Sequence, residues 1–107
     1  MNDRDIKIWY VYMLRCEDLS IYTGITVDME KRYKNHQEGK GAKYTRSKKP
    51  IEICAVFKTK NRSSATKLEC FIKKNSKKNK EFIVFSDENK KNFIIKAKKE
   101  LNIEIFL

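Results

Sequence analysis

Between Ile8 and Cys16 the chain reads IWYVYMLRC, almost unbroken in apolar and aromatic residues; EDLS interrupts it, and IYTGIT resumes the pattern. β-Branched and aromatic side chains suit a pleated, half-buried surface, and the polar quartet supplies a turn. Residues 8–26 therefore predict an antiparallel hairpin with a short loop. Gly24, inside the returning arm, marks a bulge or a place where something comes close to the backbone. The period then changes. Met29, Arg32, Tyr33 and His36 recur at i, i+3, i+4 and i+7, one face of a helix. Asp28 as N-cap and Gly39 as a left-handed stop bracket that helix at about three turns. Lys31, Lys34, Asn35 and Glu38 fall outside this face and are expected in water.

KGAKYTRSKKP, residues 40–50, reads as a loop, and Pro50 leads into IEICAVFKT, 51–59, a third strand with apolar positions on both faces. Ser63 or Ser64 can cap a second helix, SATKLECFIKK, whose stripe is Ala65, Leu68, Glu69 and Ile72. KNSKKNKE follows as a basic stretch. SDENKKNFIIKAKKEL predicts a C-terminal helix capped by Ser86 or Asp87, with Phe93, Ile94, Ala97 and Leu101 as its apolar stripe. There is no internal repeat, long linker or Gly-rich phosphate loop. The prediction is one α+β domain over residues 1–107. Its three-stranded antiparallel sheet (hairpin, helix, third strand) is flanked by helices, with the core at about 8–84 and a helix and packed apolar tail at 85–107.

The bulk numbers narrow the function class. A chain of 107 residues, 40% hydrophobic, holds one modest core. No apolar run approaches the ~20 residues that span a bilayer, and the acid-bearing MNDRDIKIWYVYM is unlike a secretory signal. Cys16, Cys54 and Cys70 are odd in number, far apart and without a Cys-x-x-Cys. That favours reduced thiols in the cytoplasm over a disulfide framework or a zinc site. The net charge is +11 and unevenly spread: residues 1–30 carry −3, while 31–49 and 58–81 carry +7 each. Two basic segments of this kind suit a polyanion, although lysine-rich composition alone also produces a basic surface.

Two helical faces carry residues that do not belong in a plain core. Arg32 and His36 share the face of Met29 and Tyr33. An unpaired buried guanidinium is costly, so Arg32 either snorkels or meets an anion in a cleft. Glu69 lies on the apolar side of its own helix and must be protonated, salt-bridged (with Arg32 as a candidate partner) or bound to a metal. His36 is either a satisfied structural residue or a chemical one. Two tyrosines on a hairpin, an Arg, a His and one half-buried Glu, flanked by basic stretches, answer the needs of phosphodiester hydrolysis. A hard cation can take one carboxylate and complete its shell with waters and phosphate. Arg neutralises charge developing on phosphorus.

This ordered set resembles the GIY-YIG nuclease superfamily, above all its small stand-alone bacterial members and more distantly the N-terminal nuclease domain of the UvrC excision-repair subunit. Tyr10-Val11-Tyr12 stands at the first family motif and Tyr22-Thr23-Gly24 at the second. Residues 22–46, from YTGIT through GKGAKYTR, carry the strongest likeness, which covers roughly residues 8–84. The resemblance implies that Tyr12 and Tyr22 are active-site tyrosines, Arg32 the phosphate-contacting arginine, His36 a position often His or Tyr, and Glu69 the metal-binding glutamate. It also implies a nuclease using one weakly held Mg²⁺ (or Mn²⁺) on DNA, with RNA as a possible substrate, in DNA repair or recombination.

Tyr22, or His36 through it, would take the proton of the attacking water. A free phenol titrates near pH ~10, so a tyrosine base needs cations beside it. Lys40, Lys43, Arg46, Lys48, Lys73 and Lys77 are the expected backbone contacts. Ile25 stands where the family often has a cation, which Lys43 or Lys73 would replace; Asn75 or Asn79 would supply a late polar residue. The rival readings are a nucleic-acid-binding module of the same fold without turnover, and an interaction protein for an acidic partner.

Overall fold

The computed structural model describes residues 7–107; the expectation for the first six residues lies outside it. β1 (Trp9–Cys16) and β2 (Ile21–Thr26) form the hairpin, α1 (Met29–Gln37) and α2 (Lys43–Ser47) follow, and β3 (Pro50–Thr59) returns to the sheet. α3 (Arg62–Lys73), α4 (Lys77–Val84) and α5 (Asp87–Leu101) complete the chain. The sheet order is β2-β1-β3, antiparallel throughout, so the strand carrying Tyr12 is central. The predicted α+β architecture is the observed one.

Strand alternation sorts the sheet into two chemically different faces. Val11 and Met13 pair with Ile25 and Thr23 on one side and with Phe57 and Ala55 on the other. With Ala65, Leu68, Ile72, Phe93 and Ala97 from α3 and α5 they form the hydrophobic core. Full burial of each large apolar side chain contributes about 1.5–3 kcal/mol. The other face presents Tyr12, Leu14 and Tyr22, with Gly24 opposite Tyr12, and is roofed by α1 through the buried His36. α1 is thus amphipathic in an unusual sense: its inner face is polar because what it covers is polar.

The helix signals hold with local revisions. Asp28 caps α1, accepting from Lys31 N at 3.1 Å, and Gly39 at φ +78° follows its end, as predicted. Ser86, rather than Asp87, caps α5. Asn61, ahead of either predicted serine, caps α3 by accepting from Ser64 N at 2.8 Å; Asn is at least as good a cap as Ser. The expected loop 40–50 contains the single-turn α2, too short to show a period. Its turn is held by Arg46 N donating to Ala42 O and by the Thr45 hydroxyl donating to the same carbonyl. The basic stretch 74–81 opens α4, capped by Ser76. Asn102, at φ +53°, ends α5, and the tail packs as expected: Ile105 is buried and Phe106 pairs with Lys58.

One buried group in this core is unsatisfied. The Thr23 hydroxyl, on the core face opposite Met13, has no hydrogen-bond partner among the described residues. A stranded buried hydroxyl costs about 1–3 kcal/mol, and valine keeps the shape without it. Thr23→Val is expected to raise stability by about 1 kcal/mol in a denaturant melt. An unchanged or lower midpoint would mean the hydroxyl is satisfied in solution.

Candidate active site

Tyr12 stands at the middle of the polar face, fully buried. Its ring lies over Gly24, where an added Cβ would come within 2.5 Å of the Tyr12 hydroxyl oxygen and 2.7 Å of Cζ. Gly24 is therefore the close-approach glycine that its place in a strand suggests, and the thing approaching is the phenol. Gly41 makes the same kind of room above it, since a Cβ there would run into the His36 ring at Nδ1.

The polar atoms above Gly24 form a chain whose proton positions follow from counting donors. Thr45 donates its single hydroxyl proton to Ala42 O at 2.9 Å. It must then accept from His36 Nδ1, 2.6 Å away. That places the neutral ring's proton on Nδ1 and leaves Nε2 as an acceptor, which takes the Tyr12 O–H at 2.8 Å. Arg32 Nε donates to the Tyr12 oxygen at 3.2 Å. Burial, reinforced by the Arg32 charge, pushes His36 down to about 4. Burial pushes the Tyr12 phenol up to about 12. Near neutral pH both are uncharged, and the hydrogen bond to Tyr12 pushes Arg32 further toward its charged form.

Tyr22 lies beside this chain, its ring 6.2 Å from Tyr12 and 5.4 Å edge-on to His36. Tyr44 from α2 stacks on it at 5.9 Å and 25°, held by a 2.5 Å hydrogen bond to Ser20 Oγ. The Arg32 guanidinium interacts with the Tyr22 hydroxyl as well as with Tyr12, and both phenols favour its charged form. A groove of about 270 Å³ lined by Thr26, Lys31, Arg32 and Asn35 opens next to that guanidinium.

Glu69 sits on α3 at the margin of the core stripe, its side chain 18% exposed. It pairs with Lys73 at 3.2 Å, not with Arg32. α3 packs on the core face of the sheet, yet the Glu69 charge still acts on Tyr12, helping to raise its pKa. The described residues hold no cluster of three or more His, Cys, Asp or Glu suited to a metal. A lone carboxylate fits a hard, mostly hydrated cation and does not fit a structural zinc site.

Lys40, Lys43 and Arg46 are exposed on and before α2. Lys48 pairs with Asp18 at 3.0 Å and lies over the Tyr44 ring; Lys77 pairs with Glu81 at 3.8 Å. Such surface pairs are weak and leave the lysines available to a phosphate. Of the two lysines offered in place of the cation missing at Ile25, Lys73 is at Glu69 and Lys43 is on the outer turn of α2. Asn75 closes α3 by donating to Phe71 O at 2.9 Å, and Asn79 lies in the first turn of α4; neither touches Tyr12. Sequence reasoning missed Thr45, Gly41 and Tyr44. All three stand inside GKGAKYTR, so the stretch was legible as a unit while its buried contacts were not.

The neutral buried histidine has a consequence for stability. In the unfolded chain it titrates near 6.5, and in the folded chain near 4. Between these values the unfolded state holds more protons, so folding stability falls on acidification by up to about 1.4 kcal/mol per pH unit. The melts of the parent and His36→Asn are expected to differ most near neutral pH and to converge as pH drops through this window. Parallel curves would show that His36 is protonated inside the fold.

The chain has clear sequence relatives among known proteins. The chain is 55% identical over 76 residues to a UPF0213 protein of Fusobacterium nucleatum subsp. nucleatum, covering 71% of this chain and 76% of the relative. It is 37% identical over 93 residues to the UPF0213 protein YazA of Bacillus subtilis (strain 168), covering 86% and 94%. The solution NMR structure of a UPF0213 protein from Bacillus halodurans matches with a TM-score of 0.48 and 42% identity, over 72% of this chain and 82% of that one. The profile of the GIY-YIG catalytic domain matches residues 8–81, the segment that contains both tyrosines, the Arg32–Tyr12–His36–Thr45 chain and Glu69. The protein belongs to the GIY-YIG catalytic domain family, a family of nuclease domains.

Proposed function

We propose that the protein is a Mg²⁺-dependent DNA endonuclease, with Mn²⁺ able to substitute, acting in DNA repair or recombination in the cytoplasm. The observation that carries this reading is the ordered chain from Arg32 through Tyr12 to His36 and Thr45, with a second phenol, Tyr22, beside it and near the same guanidinium. Hydrolysis needs a proton acceptor at the attacking water and a fixed cation at the phosphoryl oxygens. His36 is sealed from solvent and both its ring nitrogens are engaged, so it reaches water only through Tyr12. Tyr22, beside the Arg32 cation, is the group to accept the proton. Arg32, fixed by Tyr12 through Nε, keeps its remaining guanidinium N–H groups for the phosphate.

Glu69 is the residue to hold the metal ion, which when bound supplies Lewis-acid polarisation of the phosphate. Lys73, exposed and flexible, would give up its ion pair in that state. Lys40, Lys43, Arg46 and Lys48, on and around α2, and Lys73 and Lys77, on α3 and α4, are the cations to grip the phosphate backbone. The Lys73–Glu69 pair also favours a second reading, a binding module in which the lysine occupies the metal's place permanently.

The experiment is cleavage of labelled single-stranded, duplex and branched DNA, with Mg²⁺ or with chelator. Cleavage of at least one substrate is expected with Mg²⁺ only. Glu69→Gln and Tyr22→Phe are each expected to slow it at least about a hundredfold, the scale of losing one group that acts in the transition state. Binding of all substrates with cleavage of none would favour the module. A Glu69→Gln variant as fast as the parent would remove the metal assignment.

A further inference from the structure

The strongest feature outside the candidate active site is a pair of aromatic side chains at the α4–α5 junction. Phe82 is 67% exposed and Phe85 83% exposed. Two exposed phenylalanines three residues apart in a chain with a modest core are a surface feature that burial does not explain. Two grooves meet at Phe82. One, of about 380 Å³, runs between Phe82 and Phe85 beside Lys78. The other, of about 250 Å³, continues past Asn79 and Asn92 to Lys96. Most of this surface lies after residue 81, where the family match ends.

We infer that this Phe82–Phe85 surface is a second nucleic-acid site that takes unpaired bases, so that the favoured substrate carries a single-stranded segment. This rests on the nuclease reading above. The charge of the lining selects the partner. The one acid there, Glu81, is already neutralised by a two-pronged ion pair with Arg15, at 2.6 and 2.7 Å, leaving Lys78 and Lys96 as the net charge of the walls. A second copy of the chain would bring like charges together, whereas a polyanion is complementary. Exposed aromatic faces interleaved with lysines are the composition of a single-strand platform, where bases stack and lysines follow the backbone.

The asparagines fit the same occupant. Asn75 and Asn89 spend their amide N–H groups on Phe71 O, Ile72 O and Phe82 O. Their carbonyl oxygens make no hydrogen bond among the described residues and can accept from base N–H groups. α4 is also joined to the strand that carries Tyr12: Arg15, which anchors it, stands three residues along β1 and projects from the opposite face of the sheet. Lys77 holds the same helix to the hairpin turn through Leu19 O.

The test uses Phe82→Ala/Phe85→Ala in the full chain, with fluorescein-labelled single-stranded and fully paired oligonucleotides, read by anisotropy in chelator so that cleavage does not contribute. Both side chains are exposed, and a melt matching the parent verifies the fold. The single strand is expected to bind about tenfold more weakly for each stacked base lost, with duplex affinity unchanged. Equal affinities of variant and parent for the single strand would overturn the inference and leave the nuclease reading intact. No binding of either oligonucleotide by the parent would overturn both. A parent that is dimeric by light scattering, with a monomeric variant, would assign the surface to self-association and overturn the inference.

Discussion

The polar side of this fold depends on one hydrogen bond, from the buried Tyr12 hydroxyl to His36 Nε2. A hydroxyl and an imidazole removed from water each cost several kcal/mol if left alone. Here each satisfies the other, and the remaining valences are closed by Arg32 on one end and Thr45 on the other. Every member of the chain has one proton arrangement compatible with its neighbours, because Thr45 has a single proton and Ala42 O consumes it. Order therefore propagates from a backbone carbonyl of the α2 turn to the guanidinium at the mouth of the site.

The steric requirements follow from that bond. The phenol can reach His36 only by lying flat over position 24, so that position cannot carry a Cβ; the ring can turn its Nδ1 to Thr45 only if position 41 also lacks one. Two glycines with ordinary backbone angles are needed for what they leave out. The sheet then separates two environments. Its apolar face, against α3 and α5, provides cohesion, while its polar face holds preorganised dipoles with little reorganisation left to do. Glu69, carried by a helix of the apolar face, acts on Tyr12 across this division.

Electrostatics at the surface act on a different scale. The lysines of α2, α3 and α4 form pairs of small individual worth, and their collective effect is a field that attracts a polyanion. Arg15 and Glu81 join α4 to β1 with a better-defined bidentate geometry. They bind the basic, aromatic half of the molecule to the strand that carries Tyr12.

The sequence by itself determined the hairpin, α1 and its caps, β3, α5 and the polar character of α1's inner face. Each of these follows from short-range rules: period, capping chemistry and turn composition act within a few residues. It also singled out Arg32, His36 and Glu69, as polar breaks in an apolar stripe, and Gly24, as a glycine inside a strand, while Tyr12 and Tyr22 stood out through the family resemblance. What only the tertiary structure decided was pairing. Glu69 faces Lys73 instead of Arg32, Asn61 displaces two serines as a cap, and one turn of helix forms where a loop was expected. Thr45, nine residues from His36, fixes its tautomer. These outcomes depend on which atoms meet across the fold, and hydrogen bonds formed over long sequence separations leave no periodic trace in the chain.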